Sequence, residues 1–503
     1  MRKWWPLVAI CAGACMLLVD VTIVNVALPD MARQLHTTFS DLQWVIDLYA
    51  LVLGALVLTV GSVADRFGRR RLYLIGLVLF AAASLACGLA PNVALLIAAR
   101  GVQGLGAAAM FATTMALISN TYTGRDRGMA FGIWGAVNGA ASAVGPVIGG
   151  LLTANFGWRW IFLVNLPVSV VAVALTLRVI TESKDPHPKR VDGPGMVSFT
   201  VAAGTLTYAL IRGAWASTET IVLVAVAAVA IAAFVAVERR TAAPMLDLRL
   251  FRNPTFTAML IAGALLSAAA WAGMTYQSLW FQSVLGLSAI KAGLVVLPCA
   301  AAAFLVSGQV GRFLHRTSPR WMVGTGLFVI AVGAAAQTVV RENSSWPVVI
   351  PGLVLVGIGA GLAMASLTST AMAAVPWQQA GMAGGALSAF RQLGYALGIA
   401  VLGEVFDRGL THGLSHGAGA GLSGALSGGQ AQAVLARTPA LAPVVHRAFA
   451  DGLDLAYAVA AGFGLIAAVA VFVLVRAKPQ AAAPAATAPA AESAPESAAP
   501  VEA

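Results

Sequence analysis

Charge is what this sequence has least of. Only 10% of its 503 residues are Asp, Glu, Lys or Arg, against about 25% in an ordinary soluble domain, which excludes a water-facing globular surface over most of the chain. Cysteine is scarce too. The four, Cys11, Cys15, Cys87 and Cys299, all lie in apolar stretches, where a thiol serves as a small core residue, and no disulfide framework is implied. The six histidines, His36, His187, His315, His412, His416 and His446, fall in turns, so none stands in an apolar segment as a ready proton carrier. His412 and His416 have the spacing of helix ligands, but their glycine-rich surroundings argue against a metal. No G-x-x-x-x-G-K-[ST] loop occurs, so nucleotide is not the direct energy source; no cofactor is called for, and the chain is not expected to be an enzyme.

What is abundant is apolar sequence. Hydrophobic residues make up 59% of the chain, and they form about fourteen windows of the roughly 20 residues needed to cross a bilayer. Because lipid cannot satisfy strand edges, the expected class is an all-α integral membrane protein. The net charge of +11 resembles that of a nucleic-acid binder until its placement is examined. Arg2 and Lys3, Arg66 and Arg69 to Arg71, Arg125 and Arg127, Lys189 and Arg190, Arg239 and Arg240, and Arg476 and Lys478 fall in alternate turns. That asymmetry is the positive-inside pattern; it puts both termini in the cytoplasm of a multi-pass cell-membrane protein and leaves no nucleic-acid partner. Arg2 and Lys3 before an apolar run suggest a signal peptide, but Asp20 interrupts the run and no A-x-A site follows, so residues 7–28 are expected to stay as a helix.

The chain is organised around residues 61–72, GSVADRFGRRRL, a charged turn between two apolar runs. Asp65 sits among Arg66, Arg69, Arg70 and Arg71, while Gly61 and Gly68 permit a tight reversal of direction. The stretch resembles the turn between helices two and three of major facilitator superfamily transporters. That resemblance implies that Asp65 meets the dipole of a helix in the other half while the basic residues complete a latch, which makes Gly61, Asp65, Arg66, Gly68 and Arg69 gating candidates. Further motifs are similar to those of the drug:proton antiporter branch. LVDVTIVNVALP at 18–29 holds Asp20, an acid whose cost in lipid turns it toward the bundle interior, and Asn25. RGVQGLG at 100–106 resembles a fourth-helix signature, which implies proton coupling by Arg100 with Asp20. No strand precedes these glycines, so a dinucleotide loop is a weak match. GPVIGG at 145–150 resembles a signature of antiporters rather than symporters; it implies export and adds Gly145, Pro146 and Gly149 to the gating set. Simpler accounts stay open: Asp20 and Asn25 bonded to neighbouring helices, Arg100 snorkelling outward, and the glycines serving close packing alone.

Asp47 is a second buried acid, where many relatives have a neutral side chain. With Asn25 it is assigned to substrate binding and to a preference for lipophilic cations. Trp271, Tyr276 and Trp280 would add cation–π contacts of roughly 0.5–2 kcal/mol if they face inward. Pairing of Asp47 with Arg33 is the alternative, and Trp44 is read as an interfacial anchor. Arg391, in a run similar to the family's thirteenth helix, lies near its inner third, where simple anchoring is one account of it. GQVGRF at 308–313 echoes GSVADRF at 61–67 without the acid, which supports an internal duplication with the site between the halves.

The expected architecture is the major facilitator fold with 14 transmembrane helices: a six-helix half over 1–180, a linker with two extra helices over 181–254, and a second six-helix half over 255–478. A flexible outer loop is expected at 406–452 and a disordered cytoplasmic tail at 479–503. The function expected is proton-coupled export of lipophilic cationic drugs by a monomer, with protons as the driving ion. A dedicated exporter of one metabolite or antibiotic is the alternative, and a membrane sensor that transports nothing is a third class.

Overall fold

The computed structural model describes residues 2–475 apart from 38, 184–191, 213–216, 242–243, 314–316, 377–378, 416–421, 424–425 and 427–430. The tail at 479–503 and His416 therefore lie outside the described residues. Among those described there is no strand. The chain forms α1 (Trp5–Leu35), α2 (Phe39–Phe67), α3 (Arg69–Gly88), α4 (Val93–Thr121), α5 (Gly124–Phe156), a short α6 (Trp160–Leu163) and α7 (Asn165–Val179). Next come α8 (Gly193–Arg212), α9 (Thr218–Arg240), α10 (Pro254–Leu266), α11 (Gly273–Leu279), α12 (Ala289–Phe313), α13 (Pro319–Ala335), α14 (Ile350–Ala373) and α15 (Ala380–Ser415). The last two are α16 (Ala431–Arg437) and α17 (Ala442–Leu474).

Helix starts follow local chemistry. Asn92 caps α4 by accepting from the Leu95 N–H, Ser217 caps α9 through Thr220, and Asn253 caps α10 with Pro254 in the first turn. Eleven helical stretches among the described residues are long and apolar enough to cross a membrane, and α13 is a shorter apolar helix of the same kind. Their outer faces carry lipid-type side chains: Ile75, Val78, Val170, Val229 and Val473 are all exposed.

Packing groups the rods into two sets. In the first, α1 lies on α5 and α7, and α4 lies on α2 and α3; in the second, α14 lies on α12 and α13, and α17 lies on α10, α13 and α15. The α3–α4 and α13–α14 pairs are built alike. A Cβ at Gly106 would meet Phe80 N at 2.7 Å, and one at Gly326 would meet Ala363 N at 2.8 Å, so both pairs need glycine for their backbones to touch. The seam between the sets runs through α5 on α12 and α2 on α15. Helix α8 packs on α9 and lies against α2 and α15 beside that seam, with Thr59 Oγ1 3.3 Å from Thr200 Oγ1.

One expectation is corrected. Instead of a loop over 406–452, α15 runs to Ser415 and α17 begins at Ala442. Phe406, Leu410 and Leu414 are buried on one face of α15, as are Val445, Phe449 and Leu453 on α17, and Gly409 lets the two backbones close up. The Trp44 ring stacks on Tyr208 of α8 with centroids 5.5 Å apart.

Candidate functional site

Asp20 lies about four-fifths of the way along the apolar span Trp5–Val24 and is fully buried. A lone carboxylate there would be very costly, so the question is what surrounds it. Arg100 of α4 donates to Asp20 Oδ2 at 2.6 Å, while Gln103 and Asn165 each donate to Oδ1 at 3.0 Å. Gln103 also donates to Ser84 Oγ at 2.7 Å and accepts from Arg100 at 2.7 Å. The Arg100 Nε–H goes to the Val45 carbonyl of α2 at 2.9 Å. Its guanidinium is stacked over the Tyr49 ring at 4.2 Å, a contact worth roughly 0.5–2 kcal/mol. Five helices thus meet in one buried polar cluster. Arg100 is 1% exposed, so it does not snorkel outward.

The cluster has chemical content. Three donors occupy three of the roughly four acceptor sites of the Asp20 carboxylate, and protonation would weaken the hold of the cationic one, Arg100. Arg100 is the cation that balances this carboxylate, and Tyr49, whose buried hydroxyl has no hydrogen-bond partner, stands next to it. Sequence reasoning found Asp20 and Arg100 but did not assign Ser84, Gln103 and Asn165 to the site. Asn165, a lone amide inside an apolar run, was a usable signal; Ser84 carried none.

Gly145 and Gly149 sit where α5 crosses α1. A Cβ on Gly145 would collide with the Thr22 hydroxyl, and one on Gly149 would lie 3.0 Å from the Ile23 carbonyl. These glycines therefore brace the helix that carries Asp20. Neighbouring Gly135, Gly139 and Gly150 face Ser307, Ala303 and Ile290 of α12 across the seam. The side chains of Pro146, Asn25 and Arg33 lie outside the described residues. Gly149→Val is expected to separate α1 from α5 and sharply lower the yield of folded protein, read by size-exclusion profile in detergent; a native profile would contradict this packing account.

The second carboxylate is arranged differently. Asp47 is half-buried and has no hydrogen bond or ion pair among the described residues. The proposed aromatic partners are occupied elsewhere. Tyr276 donates its hydroxyl to the Ile399 carbonyl at 2.6 Å and stacks on Phe406, and Trp280 is 2% exposed beside Phe281. Trp271 is partly buried against the core. Trp271 and Trp280 sit on wider π-helical turns, Ser267–Ala272 and Trp280–Val284, on either side of α11. Such turns re-aim side chains within an otherwise continuous rod. As the helices stand, Tyr276 and Trp280 line the second helix set rather than a space shared with Asp47.

At the arginine-rich end the latch is in place. Asp65 Oδ1 takes the Arg69 guanidinium at 2.7 and 2.9 Å, while Oδ2 accepts the Met382 N–H in the first turn of α15 at 3.0 Å. Asp65 thus caps a helix of the other set, where the positive end of the dipole favours a carboxylate. Arg66 is exposed over Phe67 at 5.5 Å. Gly61 is buried in α2, and Gly68 has φ of +113°, a value that side chains rarely adopt. Glu182, which sequence reasoning did not single out, occupies the place of the missing side chain. Its carboxylate accepts the Arg70 and Arg71 N–H groups at 3.0 and 3.1 Å and caps α3. Glu182→Gln is expected to cost about 0.5–2 kcal/mol, the usual worth of a cap, seen as a lower apparent melting temperature in detergent; an unchanged value would show that the cap is dispensable.

Comparison with known proteins agrees with this geometry. The Major Facilitator Superfamily sequence profile matches residues 10–399. The chain is 40% identical over 403 residues to the multidrug resistance protein Stp of Mycobacterium tuberculosis, covering 79% of this chain and 75% of that one. It is 30% identical over 498 residues to the tetracenomycin C resistance and export protein of Streptomyces glaucescens, covering 95% and 93%. Among solved structures, the human organic anion transporter MFSD10 (TETRAN) superposes with a TM-score of 0.63 at 14% identity, over 93% of this chain and 99% of that one.

Proposed function

As this chain belongs to the Major Facilitator Superfamily, we propose that it is a proton-coupled exporter of lipophilic drugs across the cell membrane. Relatives named for multidrug resistance and antibiotic export support the direction of transport. The carrying observation is the buried Asp20–Arg100–Gln103–Asn165 cluster. It gives a titratable carboxylate a displaceable internal cation, which is what exchange of a proton for a substrate requires. Fourteen crossings, from α5, α8 and α13 taken with the eleven apolar stretches, are the count that goes with this reading, and the alternation of basic turns supports cytoplasmic termini. The pump works as a monomer, with Asp47 the carboxylate open to a cationic substrate.

Proteoliposomes carrying the purified chain are expected to move ethidium against its gradient when a pH difference is imposed, with protons flowing the opposite way. Ethidium movement that ignores the pH difference would refute proton coupling. A narrower reading, a dedicated exporter of one antibiotic, is favoured by one observation: the relative covering 95% of the chain is named for a single compound. A growth-inhibition panel in a pump-deficient host separates the two, since a dedicated exporter raises resistance to one compound class only.

A further inference from the structure

We propose that Arg391 is an oxyanion-binding subsite of the transport path, so that the substrates include lipophilic molecules carrying a carboxylate or similar delocalised oxyanion. This rests on the export reading above and extends it from cations to acids. Arg391 stands nine residues after Met382 on α15, about 13 Å from the latch at the rise of an α-helix. Its stem packs against α10, with a Cβ at Gly263 only 3.2 Å from Arg391 Cγ. Around it Gly263, Leu266, Met364, Leu367 and Thr368 complete a narrow crevice between α10, α14 and α15.

The guanidinium in that crevice has no hydrogen bond and no ion pair among the described residues. Nor can the adjoining helices supply a counter-charge. Helices α10, α11, α12 and α14 contain no Asp or Glu, and the nearest acid on α15, Glu404, is thirteen residues further along, about 20 Å away, and is bound to Arg408. Across the seam, Asp65 is held by Arg69 and by the Met382 N–H. Helix α2 runs antiparallel to α15, since Gly385 lies against Leu58 and Gly54 against Gln392. Asp47, seven residues before Gly54, is therefore offset by about 10 Å from the Gln392 level.

An unpaired cation at this depth is costly, and intramembrane charges ordinarily pair or serve a pathway. The contrast within this chain makes the point, because Arg100 has a carboxylate, an amide and a carbonyl while Arg391 has nothing. Thr368 does not relieve it, since its hydroxyl donates to the Met364 carbonyl at 2.9 Å. With α10 and α14 parted from α15, a guest oxyanion would supply the missing charge, read in two-pronged fashion by the planar guanidinium, while Leu266, Met364 and Leu367 meet the apolar body of the same molecule.

The test uses the purified full-length chain and two probes of one shape, a rhodamine with a free carboxylate and its methyl ester, titrated by fluorescence anisotropy. The unaltered protein is expected to bind the carboxylate form more tightly than the ester. Arg391→Gln is expected to weaken the carboxylate form roughly tenfold or more and the ester by less than about twofold, and Arg391→Lys to restore part of the loss. Equal weakening of both probes, no weakening, or a preference of the unaltered protein for the ester overturns the proposal. Ethidium export by the unaltered protein is measured separately in proteoliposomes; its absence counts against the pump and leaves the binding comparison to decide the subsite.

Discussion

Asp20→Asn is expected to abolish proton-driven export and also to destabilise the protein, because the carboxylate is at once the exchangeable acid and the counter-ion of Arg100. Asparagine keeps the size and can still bond Gln103 and Asn165, but it leaves the Arg100 guanidinium, 1% exposed, without a balancing charge. Removing one member of a buried pair costs about 3–5 kcal/mol, whereas replacing both members by neutral groups is often close to neutral. Three variants therefore separate the two roles. Asp20→Asn and Arg100→Gln should each lower the resistance of the purified protein to denaturant, and the double variant should regain much of it. None of the three should couple ethidium movement to a pH difference in proteoliposomes. A double variant that recovered stability and still pumped would remove Asp20 from the coupling step. Single variants as stable as the native chain would contradict the pair's place in the fold.

The second large effect is expected at the latch. Asp65 holds two sets of helices together at the arginine-rich end with one carboxylate, Oδ1 on Arg69 and Oδ2 on the Met382 N–H. Asp65→Asn retains one acceptor oxygen but loses the charge that both the guanidinium and the α15 dipole favour. The closed arrangement should lose population at that end. Spin labels at Phe67 and Trp321, both exposed, are expected to show a new population at longer distance in Asp65→Asn, absent from the native protein. Ethidium turnover should fall roughly tenfold or more, the factor attached to about 1.4 kcal/mol, while the half-saturating concentration stays nearly constant, because the latch lies far from the buried cluster. An unchanged distance distribution together with a large rise in the half-saturating concentration would place Asp65 in recognition instead.

What the sequence by itself determined is whatever depends on one helix at a time. Long apolar runs can only be rods in a bilayer, and the Gly68 reversal next to Asp65 is legible because glycine and a lone acid among arginines have few other uses. Asp20 could be placed inside the bundle from cost alone. The tertiary structure decided who meets whom. Asp20 draws its partners from α4 and α7, Ser84 enters through Gln103, and Glu182 reaches back across 112 positions to cap α3, a pairing no local pattern encodes. Tyr276 and Trp280 looked available for a substrate because aromatic residues suit either a pocket or a core, and only the packing of α15 on α11, and of α16 and α17 on the Trp280–Val284 turn, shows that the core has them. The glycine-rich stretch after Phe406 looked like loop for the opposite reason. Its glycines suggest freedom when read singly, yet they let α15 and α17 touch, and the buried stripe of Phe406, Leu410 and Leu414 supplies the apolar contact that keeps both helical. Residue type limits what a side chain can do, but contacts between distant helices choose among those options, since burial and charge compensation are properties of the assembled bundle.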